Sequence, residues 1–437
     1  MFYRHLLFGL LLCGNAYRIW RRIITDRQQK KPLPSEVRDI YTPEKYRDFL
    51  NREHDYLPLF IAARITNILA NAFFIYSPYY AWMEILGKGN EYLIVLATIL
   101  SSELVSFVLS VPRSYYATFT IEEKYGLNRM SPKSFWKDEC ISVFTNLFGS
   151  AALYGFVIFI MNRLPSWSVS EPLTYGRSFL LVAAITAIAA VFFFAVSIIA
   201  YFIQRMQYSY RDLEPGELRD KIMALTKGAK KKIRRIEIYD ESKKSNRKNA
   251  YMLRILWYRA FGIADNYLDE NSERELLAVL AHEAGHLKHK KILPEYLEYG
   301  TIVILLILMT FLLPHAHIVN ETAQRINQSY GITVNNYVLL LSYVSAVLTP
   351  LSFVSGVFSN YISRRNETEA DLNAVREGYG EELIETFKKM GSDELIDVNP
   401  APILEFLEDD HPSIVSRIRT IRNAMMTMSR KQMPSQN

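Results

Sequence analysis

Residues 275–290, "ELLAVLAHEAGHLKHK", place His282 and His286 four positions apart in a segment whose apolar residues recur with helical spacing. Side chains four apart leave the same face of an α-helix one turn from each other, and Glu283 lies beside them on an adjoining face. H-E-x-x-H is the pattern of zinc proteases, in which two imidazoles bind the metal and the glutamate acts on a water molecule. The pattern fixes only three positions, so an unrelated helix can also carry it by chance.

Two neighbouring features indicate that this segment is helical and closely packed. Ser272 and Glu275 form a capping-box pattern at its start. Gly285 is unfavourable in a helix interior, by about 1 kcal/mol relative to alanine, so another interaction must compensate for it. We expect another backbone segment or a substrate to approach the metal-binding face closely at this glycine.

The apolar residues of the chain are concentrated in long runs. Of 437 residues, 50% are hydrophobic and 22% are charged, and this uneven mixture indicates a multi-span membrane protein. The first run is short and contains Arg18, but no small-residue cleavage site follows it, so we interpret it as an anchor. Seven spans are predicted, at residues 5–20, 57–84, 92–119, 140–161, 178–203, 299–318 and 336–360.

The basic residues alternate with these spans. Four segments on one side of the membrane carry 9, 4, 20 and 10 lysines and arginines: 21–56, 120–139, 204–298 and 361–437. The three segments on the other side carry 1, 2 and 1: 85–91, 162–177 and 319–335. The positive-inside rule requires this alternation when the N-terminus lies outside. Cytosolic loops therefore account for the net charge of +6, and we expect no binding to nucleic acid. The two cysteines imply no disulfide framework.

A catalytic zinc ion needs a third protein ligand and an open position. After the sixth and seventh spans the chain returns to the side of the H-E-x-x-H helix, at "NYISRRNETEADLNAVREGYG", residues 360–380. Glu367 and Asp371 lie four apart on one helical face there. We predict Glu367 as the third ligand and Asp371 as a residue that orients a ligating imidazole. The alternative is an amphipathic helix whose acidic residues face solvent.

Together these motifs resemble a known family. "HEAGH" followed by "SRRNETEAD" is similar to the motif pair of two groups of integral-membrane zinc peptidases, the type-1 CaaX prenyl proteases and the bacterial heat-shock membrane proteases. Three stretches resemble the first group: "FTIEEKYGLNRMSP" (119–132), "SKKSNRKNAY" (242–251) and "DDHPSIVSRI" (409–418). One departure is Thr368 with Glu369, since the family commonly has an aromatic residue after the ligand glutamate.

The resemblance implies a mainly α-helical, multi-span membrane fold. Seven transmembrane helices would surround an internal chamber, and a cytosolic gluzincin-type zinc-protease domain with a small β-sheet would close it. His282, His286 and Glu367 would hold one Zn²⁺ ion, with Glu283 as the general base.

Three further residues match family positions. Asn249 and His411 would bind the substrate or stabilise the tetrahedral intermediate, and Arg417 would lie near the metal. From the residues alone, Asn249 is equally a turn residue, and His411 is a surface histidine beside Pro412 at the start of a helix.

The implied substrates are prenylated CaaX proteins at the lipid bilayer, cleaved after the prenylated cysteine to release the aaX tripeptide. The membrane would be the endoplasmic reticulum or nuclear envelope in a eukaryote and the inner or plasma membrane in a bacterium. A quality-control protease of membrane proteins is the rival within enzymes. A seven-span transporter or receptor with a regulatory metal site is the rival from another class, and it would need the three ligands but not Glu283.

Four parts of the chain are predicted. Residues 1–203 hold the first five spans, 204–298 the protease domain with the H-E-x-x-H helix, 299–360 the last two spans, and 361–437 the remaining cytosolic part with the third ligand. "IRRIEIYD" (233–240) and "NAYMLRIL" (249–256) are predicted strands of a small sheet. An exposed edge of this sheet could hold an extended peptide by strand addition.

The predicted spans also contain polar residues that are costly at membrane depth. They are Arg64, Asn67, Asn71, Glu103 and Arg113. Such groups usually face protein or a wet cavity, so they fit either the wall of an internal chamber or polar contacts between packed helices.

Overall fold

The computed structural model describes most of the chain. The described residues are 2–163, 174–229, 232–244, 249–255, 258–270, 272–288, 324–325, 328–329, 331 and 336–432. The predicted sixth span, 299–318, lies outside the described residues.

Between residues 2 and 207 the described chain forms α-helices joined by non-helical connections. A π-helical segment, Ala117–Glu122, continues directly from the fifth helix. The helices are α1 (Phe2–Gln29), α2 (Pro43–Asp55), α3 (Leu57–Tyr76), α4 (Tyr79–Gly87), α5 (Glu91–Tyr116), α6 (Pro132–Arg163) and α7 (Tyr175–Gln207).

The second predicted span, 57–84, is wrong as one helix, because α3 ends at Tyr76 and α4 begins at Tyr79. Ser77 is extended, with φ −75° and ψ 170°. Pro78 follows it, and a proline disfavours the α-helical conformation of the residue before it. The Ser-Pro pair therefore separates two helices in the middle of an apolar run.

Two helical stretches among the described residues are long and apolar enough to cross a membrane by length and composition, Pro43–Tyr76 and Glu91–Glu122. The mainly helical fold is confirmed, and within the described part of the chain two of the seven predicted spans meet that criterion. On α3, Ile61, Ile65 and Leu69 are 48%, 52% and 64% exposed and follow one another at four-residue spacing. A row of exposed large apolar side chains suits contact with lipid.

A four-stranded sheet precedes the H-E-x-x-H helix, in the order β1-β2-β4-β3. The strands β2 and β4 are parallel, and the other two neighbouring pairs are antiparallel. Both predicted strands are present, as β2 and β3, and β3 is an edge strand. The elements are β1 (Tyr210–Asp212), α8 (Glu217–Leu225), β2 (Arg235–Tyr239), a 3-10 turn (Glu241–Lys243), β3 (Ala250–Ile255), β4 (Tyr258–Ala264), α9 (Asp265–Glu270) and α10 (Glu273–Lys288).

The C-terminal part is formed by four helices. They are α11 (Asn336–Arg376), α12 (Gly380–Asp393), α13 (Pro402–Glu408) and α14 (Ile414–Gln432). The helix α11 runs without a break past residue 360, where the seventh span was predicted to end. One helix therefore joins the predicted seventh span to Glu367, and the predicted boundary at 360/361 falls inside it.

The N-terminal and C-terminal parts are joined by hydrogen bonds between residues far apart in sequence. The hydroxyl of Tyr41 donates to the carbonyls of Gly391 and Ile396, at 2.7 and 2.5 Å. Lys388 pairs with Asp39 at 2.8 Å. Val37, Ile40, Tyr41 and Phe49 belong to the same buried core as α10, α12 and α14. These four residues therefore pack in the core that surrounds α10.

Candidate metal centre

The helix α10 begins at the predicted capping box. The hydroxyl of Ser272 accepts from the Glu275 N–H at 3.3 Å, and the Glu275 carboxylate accepts from the Ser272 N–H at 3.0 Å. These reciprocal bonds satisfy two backbone donors that a helix N-terminus leaves without intrahelical partners. Lys389 of α12 also pairs with Glu275. The start of the catalytic helix is thereby fixed to the C-terminal part.

Gly285 lies where α10 crosses α11. A Cβ atom at this position would lie 2.8 Å from the Cα of Ala370 and 3.0 Å from the Cβ of Asn373. Asn373 donates to the carbonyl of Ala281 at 2.8 Å across the same contact. The expected close approach of a second backbone is confirmed, and that backbone carries Glu367.

The crossing brings His282, His286 and Glu367 together, with one potential ligand atom from each within 4.8 Å of the others. The Nε2 atoms of His282 and His286 lie 3.3 and 3.2 Å from the two carboxylate oxygens of Glu367. The two imidazole rings are nearly perpendicular, with centroids 5.0 Å apart. His282 and Glu367 are buried, each with 7% of its surface exposed.

These three residues fit a zinc ion. Two ligand atoms bound at about 2.05 Å around a tetrahedral centre lie about 3.3 Å apart, which agrees with the 3.3 Å between His282 Nε2 and Glu367 Oε2. Glu367 Oε2 is buried and weakly satisfied, since its contact with His282 Nε2, at 3.3 Å, is poorly directed for a hydrogen bond. A weakly satisfied buried carboxylate oxygen beside two imidazole nitrogens is the environment that a divalent ion relieves. Two histidines and one glutamate are a ligand set of catalytic zinc.

Asp371 and Arg417 support His282 from behind. The carboxylate of Asp371 lies 2.9 Å from His282 Nδ1, leaving Nε2 directed to Glu367. Arg417 donates to both oxygens of Asp371, at 2.9 and 2.6 Å, and its guanidinium stacks on the ring of Phe387. Such a bidentate pair fixes both the charge and the orientation of the carboxylate.

The charges of these buried groups depend on one another. Burial disfavours the ionised carboxylate of Asp371, but the charge of Arg417 and hydrogen bonds lower its pKa below the usual range. Burial likewise disfavours the protonated imidazole of His282, yet hydrogen bonds to Asp371 and Glu367 raise its pKa to about 9. Bonds from both histidines hold the pKa of Glu367 well below its ordinary value despite burial. A proton on His282 therefore occupies the place that a metal ion would take.

Glu283 faces the edge strand of the sheet. Burial raises the pKa of its carboxyl, while the charges of His282 and His286 and the backbone N–H of Met252 in β3 favour the ionised form. A carboxyl group with a raised pKa in a partly buried site is suited to exchange protons near neutral pH. The side chain of Glu283 therefore lies next to β3.

His411 lies beside Glu367 on a solvent-exposed side of the centre. Its Nε2 atom is 3.5 Å from Glu367 Oε2, and 56% of its side chain is exposed. It precedes α14, which begins at Ile414 after Ser413, so Pro412 does not occupy the first helical position. His411 and Arg417 line a cavity of about 570 Å³ that extends to Arg21 and Glu408.

Asn249 lies immediately before β3 with an exposed side chain. Its backbone carbonyl accepts from the Ala264 N–H at 2.9 Å. Within the described residues, no hydrogen bond joins its side chain to the three ligand residues. The structure therefore puts Asn249 at the start of the edge strand and not in the metal cluster.

Two supporting residues were not identified from the sequence. Asn373 joins α11 to α10 through its hydrogen bond to the carbonyl of Ala281. Arg364 donates to the carbonyls of Glu405, Phe406 and Asp409, at 2.8 and 3.1 Å for the first two. These bonds satisfy carbonyls at the end of α13 and hold the segment that leads to His411. Arg364 is the first arginine of the "SRRNE" segment, which is part of the "SRRNETEAD" motif.

Two family models match consecutive parts of the chain. The model described as CAAX prenyl protease N-terminal, five membrane helices, matches residues 24–206. The model of peptidase family M48 matches residues 212–425. Together they extend over nearly the whole chain and meet between α7 and β1.

Individual relatives agree with these matches. The chain is 27% identical over 405 residues to CAAX prenyl protease 1 homolog of Dictyostelium discoideum, covering 89% of each protein. It is 26% identical over 327 residues to CAAX prenyl protease 1 of Saccharomyces cerevisiae, covering 72% of this chain and 69% of that protein. The crystal structure of S. mikatae Ste24p shares the fold, with a TM-score of 0.74 and 20% identity over 96% of this chain and 99% of that one. The chain belongs to the type-1 CaaX prenyl protease family, a family of membrane metalloproteases.

Proposed function

We propose that this protein is a zinc-dependent membrane endopeptidase that cleaves after the prenylated cysteine of C-terminal CaaX motifs and releases the aaX tripeptide. The observation that carries this proposal is the convergence of His282, His286 and Glu367, whose potential ligand atoms lie within 4.8 Å of one another, with Glu283 on the same helix. The names of the relatives support the substrate class.

Each residue of the centre has a distinct proposed role. His282, His286 and Glu367 would hold one zinc ion, which when bound supplies a Lewis acid for the scissile carbonyl and for the attacking water. Glu283 accepts a proton from that water and delivers it to the leaving amine.

The remaining site residues orient these groups or stabilise developing charge. Asp371 keeps His282 in the tautomer that presents Nε2, and Arg417 holds Asp371. His411 donates to the oxyanion of the tetrahedral intermediate from the open side of the site. Asn249 contacts the substrate backbone at the start of β3.

The edge strand β3 is the proposed docking site for the substrate peptide. An extended peptide beside β3 would lie next to Met252 and therefore next to Glu283. Addition of a strand supplies main-chain hydrogen bonds that do not depend on the substrate sequence, while the prenyl group remains in or near the bilayer.

The proposed arrangement in the membrane follows the charge distribution. Seven spans surround an internal chamber, with the zinc-protease domain at residues 204–298 and 361–437 on the cytosolic side and with 1–203 and 299–360 carrying the spans. In a eukaryotic cell the membrane is that of the endoplasmic reticulum or nuclear envelope. The alternating basic segments support this orientation.

The decisive experiment compares a farnesylated CaaX peptide with its unprenylated counterpart, using purified protein of measured metal content. We expect one zinc ion per chain, preferred cleavage of the farnesylated peptide after its cysteine, and loss of cleavage on chelation with recovery on addition of Zn²⁺. Equal cleavage of the two peptides would favour the quality-control protease. Full activity of a protein without metal would refute the zinc mechanism.

A further inference from the structure

Three arginines on separate helices lie near one another at the junction of α1, α3 and α5. Arg64 of α3 contacts Asn15 on α1, three residues before Arg18, and Arg113 of α5 contacts Thr66 on α3, two residues after Arg64. The charges of Arg18 and Arg113 both act on Arg64. Arg64 is the eighth residue of α3, so it lies about 10 Å along the helix from its start. Arg113 is near the end of α5. Like charges placed together in an apolar layer repel one another and are costly to desolvate.

The contacts of these arginines are to neutral oxygens. Arg64 donates to the side-chain oxygen of Asn15 at 3.4 Å, and Arg113 donates to the hydroxyl of Thr66 at 2.9 Å. The Nε atom of Arg64 is buried and has no hydrogen-bond partner. Among the described residues, no carboxylate forms an ion pair with Arg18, Arg64 or Arg113.

The next arginines along α1 differ in this respect. Arg21 pairs with Glu408 at 2.9 Å, and Arg22 pairs with Glu53 at 3.1 Å. One turn further along α1, therefore, the protein supplies acidic partners, whereas Arg18 and Arg64 have none among the described residues. The difference indicates that the anion at this level comes from outside the described part of the protein.

We propose that Arg18, Arg64 and Arg113 form a binding site for the phosphate of an anionic lipid headgroup. Guanidinium groups bind phosphate oxygens through paired N–H donors, and three of them offset the repulsion by sharing one anion. Basic pockets between membrane helices are suited to such headgroups. The exposed Ile61 and Ile65 of α3 flank Arg64 in sequence and provide an apolar surface for the acyl chains.

The test uses the full-length protein in neutral detergent, with binding measured by native mass spectrometry. The probes are phosphatidylglycerol, phosphatidylcholine with the same acyl chains, and inorganic phosphate. We expect phosphatidylglycerol to bind more tightly than the other two. Arg64→Gln and Arg113→Gln should each weaken its binding by about fivefold, and Arg64→Lys by less, because it keeps the charge but loses the paired donors.

Arg4→Gln is the matched control, since Arg4 lies on α1 at its opposite end. It should bind phosphatidylglycerol like the parent protein. Each variant is used only with an unchanged thermal unfolding temperature. Equal binding of the two lipids, equal binding of inorganic phosphate, or unaltered binding by both glutamine variants would overturn the proposal. So would displacement of the lipid by a CaaX peptide with a free C-terminal carboxylate but not by its amide, because the site would then belong to the substrate.

Discussion

Glu283 shares α10 with two proposed ligands but faces β3 and is not itself a member of the ligand cluster. Its role can therefore be separated from metal binding. We expect Glu283→Gln to lower kcat by about 10²- to 10⁴-fold, the usual contribution of a general acid–base group, while zinc content stays at the parent level.

The matched control is Glu369→Gln, which alters a half-exposed glutamate two positions after Glu367. It should leave both zinc content and kcat unchanged. Parent-level cleavage by Glu283→Gln would contradict the proposed role of Glu283 as the base.

In the proposed mechanism, Asp371 influences the metal through its contact with His282. Replacing it with asparagine removes the charge that Arg417 neutralises and changes the acceptor for the Nδ1 proton of His282. We expect Asp371→Asn to weaken zinc binding by about 10- to 100-fold, measured by competition with a chromophoric chelator. An unchanged zinc affinity would show that His282 is oriented by its packing alone.

The raised pKa of His282 predicts a pH dependence. In the metal-free protein, stabilisation from the protonated imidazole is full below the ordinary value of 6.5 and is lost as pH rises through about 9. Zinc binds the neutral imidazole, so zinc affinity should rise with pH over the range in which this stabilisation of the metal-free protein is lost.

We expect the zinc affinity to rise by about tenfold per pH unit from this one proton as pH increases towards 9. The released proton is measured by titration calorimetry in buffers of different ionisation enthalpy. Zinc binding without proton release at pH 7 would contradict the raised pKa.

The metal-binding residues were predictable because two short motifs fix them. H-E-x-x-H fixes His282 and His286 on one helix, and the returning segment offers Glu367 and Asp371 one turn apart. Arg364 and Asn373 were not identified, because their partners are backbone carbonyls on other elements. Every residue has a backbone carbonyl, so the sequence does not show which carbonyl a side chain will contact.

The crossing of α10 and α11 is close enough that one methyl group should disturb it. We expect Gly285→Ala to lower the free energy of unfolding by about 1–3 kcal/mol through overpacking, although alanine favours an isolated helix. Zinc affinity should fall as well, because the same crossing sets the separation of Glu367 from the two histidines.

Gly149→Ala on α6 is the control, since its added Cβ would meet no atom within 4 Å. Chemical denaturation and zinc titration of both variants in detergent check the prediction. A Gly285→Ala protein as stable as the parent would mean that α11 can shift without cost.

Elements with long periodic patterns were predicted well, and short or interrupted ones were not. The capping box and helical spacing give α10 its start, and the alternation of apolar and charged residues gives β2. The strands β1 and β4 were missed because three residues carry no pattern and "YRAFGIA" does not alternate. The break at Ser77 was missed because a single proline also occurs inside membrane helices.

Glu122 of the "FTIEEKYGLN" motif connects distant parts of the chain. It accepts from Arg52 Nε and Nη2 at 3.2 and 3.0 Å, and Arg52 Nη1 donates to the carbonyl of Leu395 at 3.1 Å. Leu395 has a positive φ of 51°, an uncommon conformation for a leucine that needs support from its surroundings. This motif therefore links α5 to the segment after α12.

We expect Glu122→Gln to lower the free energy of unfolding by about 1–3 kcal/mol, because Arg52 remains half-buried without its charged partner. It should also speed proteolytic cleavage near Leu395. Glu123→Gln is the control, since the exposed side chain of Glu123 accepts a hydrogen bond from Asn128 of the same loop. Equal stability of the two variants would show that the motif has no role in joining the parts.

The helix α11 has 41 residues and is therefore about 60 Å long. It carries Glu367 near the end that leaves the predicted span. Glu367 lies about 16 Å from the middle of this helix, so a tilt of about 5° around the middle would move it by about 1.4 Å, more than half the length of a zinc–oxygen bond. Helices adjust their tilt to the thickness of the surrounding bilayer. We therefore expect the rate of cleavage to depend on the thickness of the host membrane.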